Sequence, residues 1–136
     1  MTISAASLIA KYDLTPHPEG GFYKQTYISN ERIPAAALPE RFSDDRYFST
    51  AIYFLLEQGN FSAFHRIKSD EVWHFYAGGN LNIYIIHQNG NLEVLTLCDE
   101  ITGDSSFQLV VPAGCWFASE PGSGVAFSFV GCTVSP

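Results

Sequence analysis

The feature that most restricts how this chain can fold is a succession of short aromatic and β-branched runs, each closed by a turn signal. Residues 21–29 (GFYKQTYIS), 47–56 (YFSTAIYFLL), 61–66, 71–76, 81–87, 92–97, 107–111 and 125–130 all have this character. Glu57-Gln58-Gly59-Asn60, Gly78-Gly79, Asn89-Gly90 and Pro112-Ala113-Gly114 separate several of them. Runs of this length and composition suit strands. About nine strands at such even spacing imply an all-β sandwich or a closed barrel. Asn89-Gly90 between two apolar runs predicts a tight hairpin, since both residues tolerate positive φ. Residues 30–45, with two prolines and an alanine run, read as a surface loop.

One helix is expected, at the N-terminus. Thr2 or Ser4 can cap it, and Ile3, Leu8, Ile9 and Tyr12 form a rough apolar stripe. Asp13 and then Pro16-His17-Pro18 end it, because proline disfavours helical geometry in the residue before it. With 136 residues there is room for one core rather than two, so residues 1–136 are read as one domain.

Charge and cysteine content narrow the function. The formal net charge is −7, with seven Lys and Arg against fourteen Asp and Glu, which argues against a nucleic-acid partner. The three cysteines, Cys98, Cys115 and Cys132, are far apart and form no CxxC pair, so they read as reduced thiols. No basic segment precedes the apolar N-terminal stretch as in a signal peptide, and no apolar run is long enough for a membrane helix. A cytoplasmic protein without a membrane partner is expected.

Two stretches carry a family resemblance. The first runs Gly59-x5-His65-x-Ile67-x3-Glu71-x6-Gly78, and the second is Pro112-x-Gly114-x2-Phe117. They resemble the paired motifs of the cupin superfamily, in which two histidines and a glutamate of the first motif and a histidine of the second face the barrel interior. His17-Pro18-Glu19-Gly20-Gly21, Phe64-His65-Arg66, Asp70-Glu71-Val72-Trp73-His74-Phe75 and Val130-Gly131-Cys132-Thr133-Val134 are similar to blocks of a family of small single-domain cupins. The resemblance implies a double-stranded β-helix, or jelly-roll barrel, with a short N-terminal helix. It also implies a homodimer, for which Phe22, Tyr27 and Phe48 are candidate contacts. Relatives continue past the Val-x-Pro ending with an acidic, aromatic tail.

Against that motif, Ile67 stands where the second histidine belongs and Phe117 where the third does. His65 and Glu71 remain, and two protein ligands hold a divalent cation poorly. No cofactor is therefore expected; a metal, if one binds, would use His65 and Glu71. His74 lies three positions after Glu71 and so belongs to the opposite strand face. A histidine held by a carboxylate is a workable general base near neutral pH. Some cupins are metal-free sugar-nucleotide epimerases with a barrel histidine as base and a tyrosine as proton donor, and Phe64-His65-Arg66 is similar to their arrangement. His65 and Glu71 are thus the candidate catalytic pair, with Tyr23, Tyr53 and Tyr84 as candidate donors.

Trp73, on the face of Glu71, offers a stacking surface for a ring or sugar, whereas Phe75 reads as core. Arg66, Phe117, and His17 and Glu19 of the turn before the first long strand complete the expected ligand site. Cys115, on the face of Phe117 with no base beside it in sequence, reads as an inert wall. The expected function is binding of a small molecule, sugar-like or nucleotide-sugar-like, inside the barrel, with epimerase or isomerase activity. The alternatives are a metal-dependent oxygenase or isomerase, and a binding or regulatory module without catalysis.

Overall fold

The computed structural model describes residues 2–136. Helix α1 (Ala5–Tyr12) opens with a reciprocal cap, in which the Ser4 hydroxyl accepts the Ser7 amide and the Ser7 hydroxyl accepts the Ser4 amide. It ends at Asp13 in the left-handed conformation. Leu8, Ile9 and Tyr12 pack inward as expected, whereas Ile3 precedes the helix and stays exposed.

Thirteen strands follow: β1 (Thr15–Pro16), β2 (Phe22–Ile28), β3 (Arg32–Ile33), β4 (Arg46–Tyr47), β5 (Thr50–Glu57), β6 (Ser62–His65), β7 (Glu71–Gly78), β8 (Leu81–Ile86), β9 (Leu92–Leu97), β10 (Ser105–Ser106), β11 (Gln108–Val111), β12 (Trp116–Pro121) and β13 (Phe127–Val134). They form a six-stranded sheet, β1-β2-β5-β13-β7-β11, facing a five-stranded sheet, β10-β9-β8-β12-β6, with β3-β4 as a small ribbon. Every pairing is antiparallel except β9 with β10. This is the expected jelly roll.

Several elements depart from the expectation, among them β3, which lies inside the 30–45 segment read as a loop. Residues 116–121 carry a weak strand pattern, with Ala118, Ser119 and a terminal proline, yet β12 lies between β8 and β6. Its small residues fit because Phe117 and Ser119 are covered by the opposite sheet, and packing outweighs local propensity. Strand β13 continues through Gly131 to Val134 rather than stopping at residue 130. The glycine is required there, because the Tyr76 ring and hydroxyl lie where its Cβ would be.

Asn89-Gly90 does close a hairpin, but by a different turn. The Gly90 amide donates to the His87 carbonyl and the His87 amide to that of Asn91, and only Gly90 has positive φ. That is a type I turn with a glycine bulge rather than a type I′ turn. Between the sheets lies the main core, built around Phe54, Leu56, Ile83, Ile85, Phe117 and Val130. A second cluster, Leu8, Leu14, Leu55 and Phe129, attaches α1 to the outer face of the six-stranded sheet. Among the described residues, no helix is long and apolar enough to cross a membrane.

Candidate functional site

Side-chain alternation along β7 decides what enters the barrel. Glu71 and Trp73 face inward, while His74 faces outward and hydrogen-bonds Thr133 (3.2 Å) and Gln108 (3.2 Å). Strand β6 brings His65 opposite Phe117 of β12, with ring centroids 4.2 Å apart. His17 arrives from the loop before β2, edge-on to Tyr23 (4.8 Å) and Phe54 (5.4 Å). That loop is held tightly: Gly20 and Gly21 both have positive φ, and side chains there would strike the Phe61 and Leu55 carbonyls. These groups surround a cavity of about 30 Å³, lined also by Ser62 and Cys132, with space for about one water molecule.

Hydrogen-bond partners assign the tautomers. His65 Nδ1 lies 2.8 Å from the Ala63 carbonyl, to which it can only donate, so a neutral His65 keeps its lone pair on Nε2. His17 Nδ1 accepts the Glu19 amide (3.0 Å), which places the proton of a neutral His17 on Nε2. Burial, and secondarily the neighbouring His65, lower the His17 pKa, while Glu19 raises it by a smaller amount. Glu71 is half-buried as a residue, but its carboxyl is withdrawn from water. Burial raises its pKa from 4.5 to about 7, against a smaller opposite effect of the Trp73 indole. That indole N–H is buried, and its interaction with the Glu71 carboxyl falls short of full hydrogen-bonding geometry. Burial, then the charge of Glu71, keep the Cys132 thiol protonated.

Outside this cavity the barrel opens into a basin of about 680 Å³. Its walls include Phe42, Asp44, Asp45, Arg46, Ile67, Lys68 and Glu71. Glu71 is the residue common to the basin and the inner cavity. A neighbouring recess of about 580 Å³ shares Ile67 and Lys68 with the basin and adds Arg41 and Arg66. The 41–47 segment gave no functional signal in the sequence, because its charges meet those of residues 66–68 only in the folded barrel.

The remaining sequence candidates separate by face. Tyr53 lies outside the barrel, packed on Tyr12, Tyr76 and Phe129. Tyr84 is also exterior and donates to Glu120 (2.7 Å). Tyr23 packs against the interior core beside His17, which leaves it as the tyrosine nearest the cavity. Arg66 is exposed, with its guanidinium over the Trp116 ring. Glu19 contributes backbone contacts, its amide to His17 and its carbonyl to the Ala63 amide (2.8 Å). His65 and Glu71 border the same cavity, although the carbonyl of Ala63, not a carboxylate, orients the imidazole. Cys115 does have a base beside it in space: its sulfur lies 3.7 Å from His87 Nδ1, and His87 Nε2 lies 3.0 Å from Glu93. The β8–β9 hairpin supplies that contact, which sequence proximity could not reveal.

The family model described as Cupin superfamily (DUF985) matches residues 6–136. The chain belongs to this family. Among solved structures, this cupin is similar to a Shewanella oneidensis protein determined by X-ray crystallography, at 37% identity and a TM-score of 0.87, over 99% of this chain and 79% of that one. It is also similar to a hypothetical protein from Leishmania major, at 28% identity and a TM-score of 0.88, over 98% and 82% of the two chains. A Bacillus subtilis oxalate decarboxylase shares the fold at 12% identity and a TM-score of 0.59, over 88% of this chain and 26% of that one. No curated protein matches this cupin.

Cupins can carry metal, but the donor set here does not fit one. Ile67 and Phe117 occupy the positions at which the motif supplies histidines, and Phe117 fills its space as a fully buried ring. His17, His65, Glu71 and Cys132 all border the cavity, yet among the described residues no three such donors group closely enough to hold an ion.

Proposed function

We propose that this cupin binds a small sugar-like or nucleotide-sugar-like molecule at the barrel mouth and acts on it by metal-free proton transfer, as an epimerase or isomerase. The observation that supports this reading is the position of Glu71 in the wall between the basin and the inner cavity, with a pKa of about 7. A carboxyl half-protonated at neutral pH can both give and take a proton, and such groups contribute about 10²- to 10⁴-fold to rate. The inner cavity is too small for a whole sugar, so the ligand body lies in the basin and one reacting group points inward. There His65 Nε2 takes the proton from the carbon beside a carbonyl, and the protonated Glu71 carboxyl returns one to the opposite face. The Trp73 N–H, buried beside the Glu71 carboxyl, is a further donor for the oxygen on which charge develops.

The test is solvent-deuterium incorporation into sugars, sugar phosphates and nucleotide sugars, with ligand affinity measured in parallel. His65→Asn and Glu71→Gln are expected to keep affinity within about threefold and to reduce exchange by about 10²-fold or more. Binding without exchange in the unmodified protein would establish the non-catalytic module instead. The exposed Tyr27, Ile28 and Phe48 support a homodimer, whereas Phe22 packs against the cluster beneath α1. Light scattering should then show twice the 15.0 kDa chain mass, and a clean 15.0 kDa species would exclude the dimer.

A further inference from the structure

We infer that the ligand of the mouth is an anion, a phosphate or carboxylate held by Arg46 and Lys68, with Arg41 and Arg66 adding to the field. This rests on the reading of the basin as the ligand site and specifies the chemistry of what enters it.

The first support is the distribution of charge. The chain has seven cationic side chains against fourteen acidic ones. Four of the seven, Arg41, Arg46, Arg66 and Lys68, border the basin and its neighbouring recess, together with three carboxylates, Asp44, Asp45 and Glu71. The rest of the chain keeps three cations among eleven acids. Cations are therefore concentrated at the barrel mouth on a surface that is strongly acidic elsewhere. Such a focused field attracts counter-charge.

The second support is that these cations lack acidic side-chain partners. Among the described residues, the ion pairs are Lys24 with Asp13 and His87 with Glu93, neither at the mouth. Arg41 and Arg46 instead each lie over the Phe42 ring, 4.6 and 5.2 Å from its centroid. Arg41 Nε donates to the Lys68 carbonyl (2.8 Å) and Arg46 Nη2 to the Pro136 carbonyl (3.0 Å). Each guanidinium is thus oriented through one nitrogen, leaving further N–H groups for a ligand.

The third support is that part of the acidity at the mouth is already engaged. Asp45 accepts the Ala35 amide (2.9 Å), and the nearby Asp70 accepts the Ala113 amide (2.8 Å). Asp44 is exposed on the outer part of the basin and interacts with the Ser43 hydroxyl (3.4 Å). Glu71, in the wall between basin and cavity, is withdrawn from water, which raises its pKa to about 7, so at neutral pH it presents only part of a charge to an arriving anion.

The experiment is a backbone-amide NMR titration of the whole chain with three probes: inorganic phosphate, succinate and uncharged glucose. Phosphate and succinate should shift Arg46, Ile67, Lys68 and Glu71, while glucose alone should bind at least tenfold more weakly. The Arg46→Gln/Lys68→Gln double variant should lose at least tenfold in affinity for both anions. A Lys24→Gln/Arg32→Gln variant, which removes the same charge elsewhere, should bind them as the parent does. Equal losses in the two variants would overturn the inference, because only net charge would then matter. Glucose binding at the same amides, indifferent to Arg46 and Lys68, would also overturn it while leaving the basin as the ligand site. If no probe shifts the mouth, the anion site falls, and the deuterium exchange decides the proposed activity independently.

Discussion

The inner cavity and the mouth basin meet at one side chain and differ in almost every other respect. The cavity is about 30 Å³, walled by Phe54, Trp73 and Phe117, and its polar groups are His17, His65, Ser62, Glu71, a neutral thiol and the buried indole N–H of Trp73. The basin is about 680 Å³, open to water and edged with the charged side chains of Asp44, Asp45, Arg46 and Lys68. The first space has the dry surroundings that move pKa values, and the second has the size and charge to select a ligand. In this barrel, reaction and recognition are assigned to different volumes, with Glu71 between them.

The largest expected effect comes from breaking the small size of the cavity. Phe117→Ala removes a fully buried ring packed on His65 and Trp73, and should cost about 3–5 kcal/mol in denaturant unfolding. A loss under about 1 kcal/mol would mean that the cavity walls are not tightly packed.

A somewhat smaller effect sharpens the contrast through pH. Between pH 4.5 and about 7 the folded protein retains a Glu71 proton that the unfolded chain has released. Stability from this group is therefore full below pH 4.5, falls as pH rises through that window, and levels off above it. The full span is about 3 kcal/mol. Glu71→Gln should flatten the curve by that amount, and an unchanged slope would show that the carboxyl is well solvated.

The smallest effect is a control on the barrel exterior. Tyr84→Phe deletes the hydroxyl that donates to Glu120 and should cost about 1 kcal/mol or less, with ligand affinity unchanged. A change in affinity would mean that the barrel exterior around Tyr84 communicates with the mouth.

The sequence made the interior more legible than the mouth. Period-two alternation put Trp73 on the face of Glu71 and His74 on the opposite one, while the family motif made the Glu71 face the interior and located Phe117 beside His65. Alternation did not separate the tyrosines, because it gives relative faces within a strand but not which face is the interior. Tyr53 therefore proved to lie under α1, and Tyr84 on the barrel exterior. The mouth was hidden for another reason. Its cations come from two segments about twenty residues apart and its contrast is with the remainder of the surface, so a net charge of −7 conceals it. Cys115 and His87 were missed likewise, since a hairpin rather than sequence proximity joins them. Strand β12 was missed because its pattern is weak and its burial is tertiary.

The wall position of Glu71 has a consequence for the energetics of any ligand that settles over it. A carboxyl poised at about 7 is a proton store in equilibrium with neutral solvent. A guest that covers the basin removes more water from it and, if negatively charged, favours its protonated form, so binding draws a proton from the buffer. Occupancy and acidity then become two readings of one equilibrium: the molecule would hold its guest more firmly in mildly acidic solution, and the heat of binding would change with the ionisation enthalpy of the buffer.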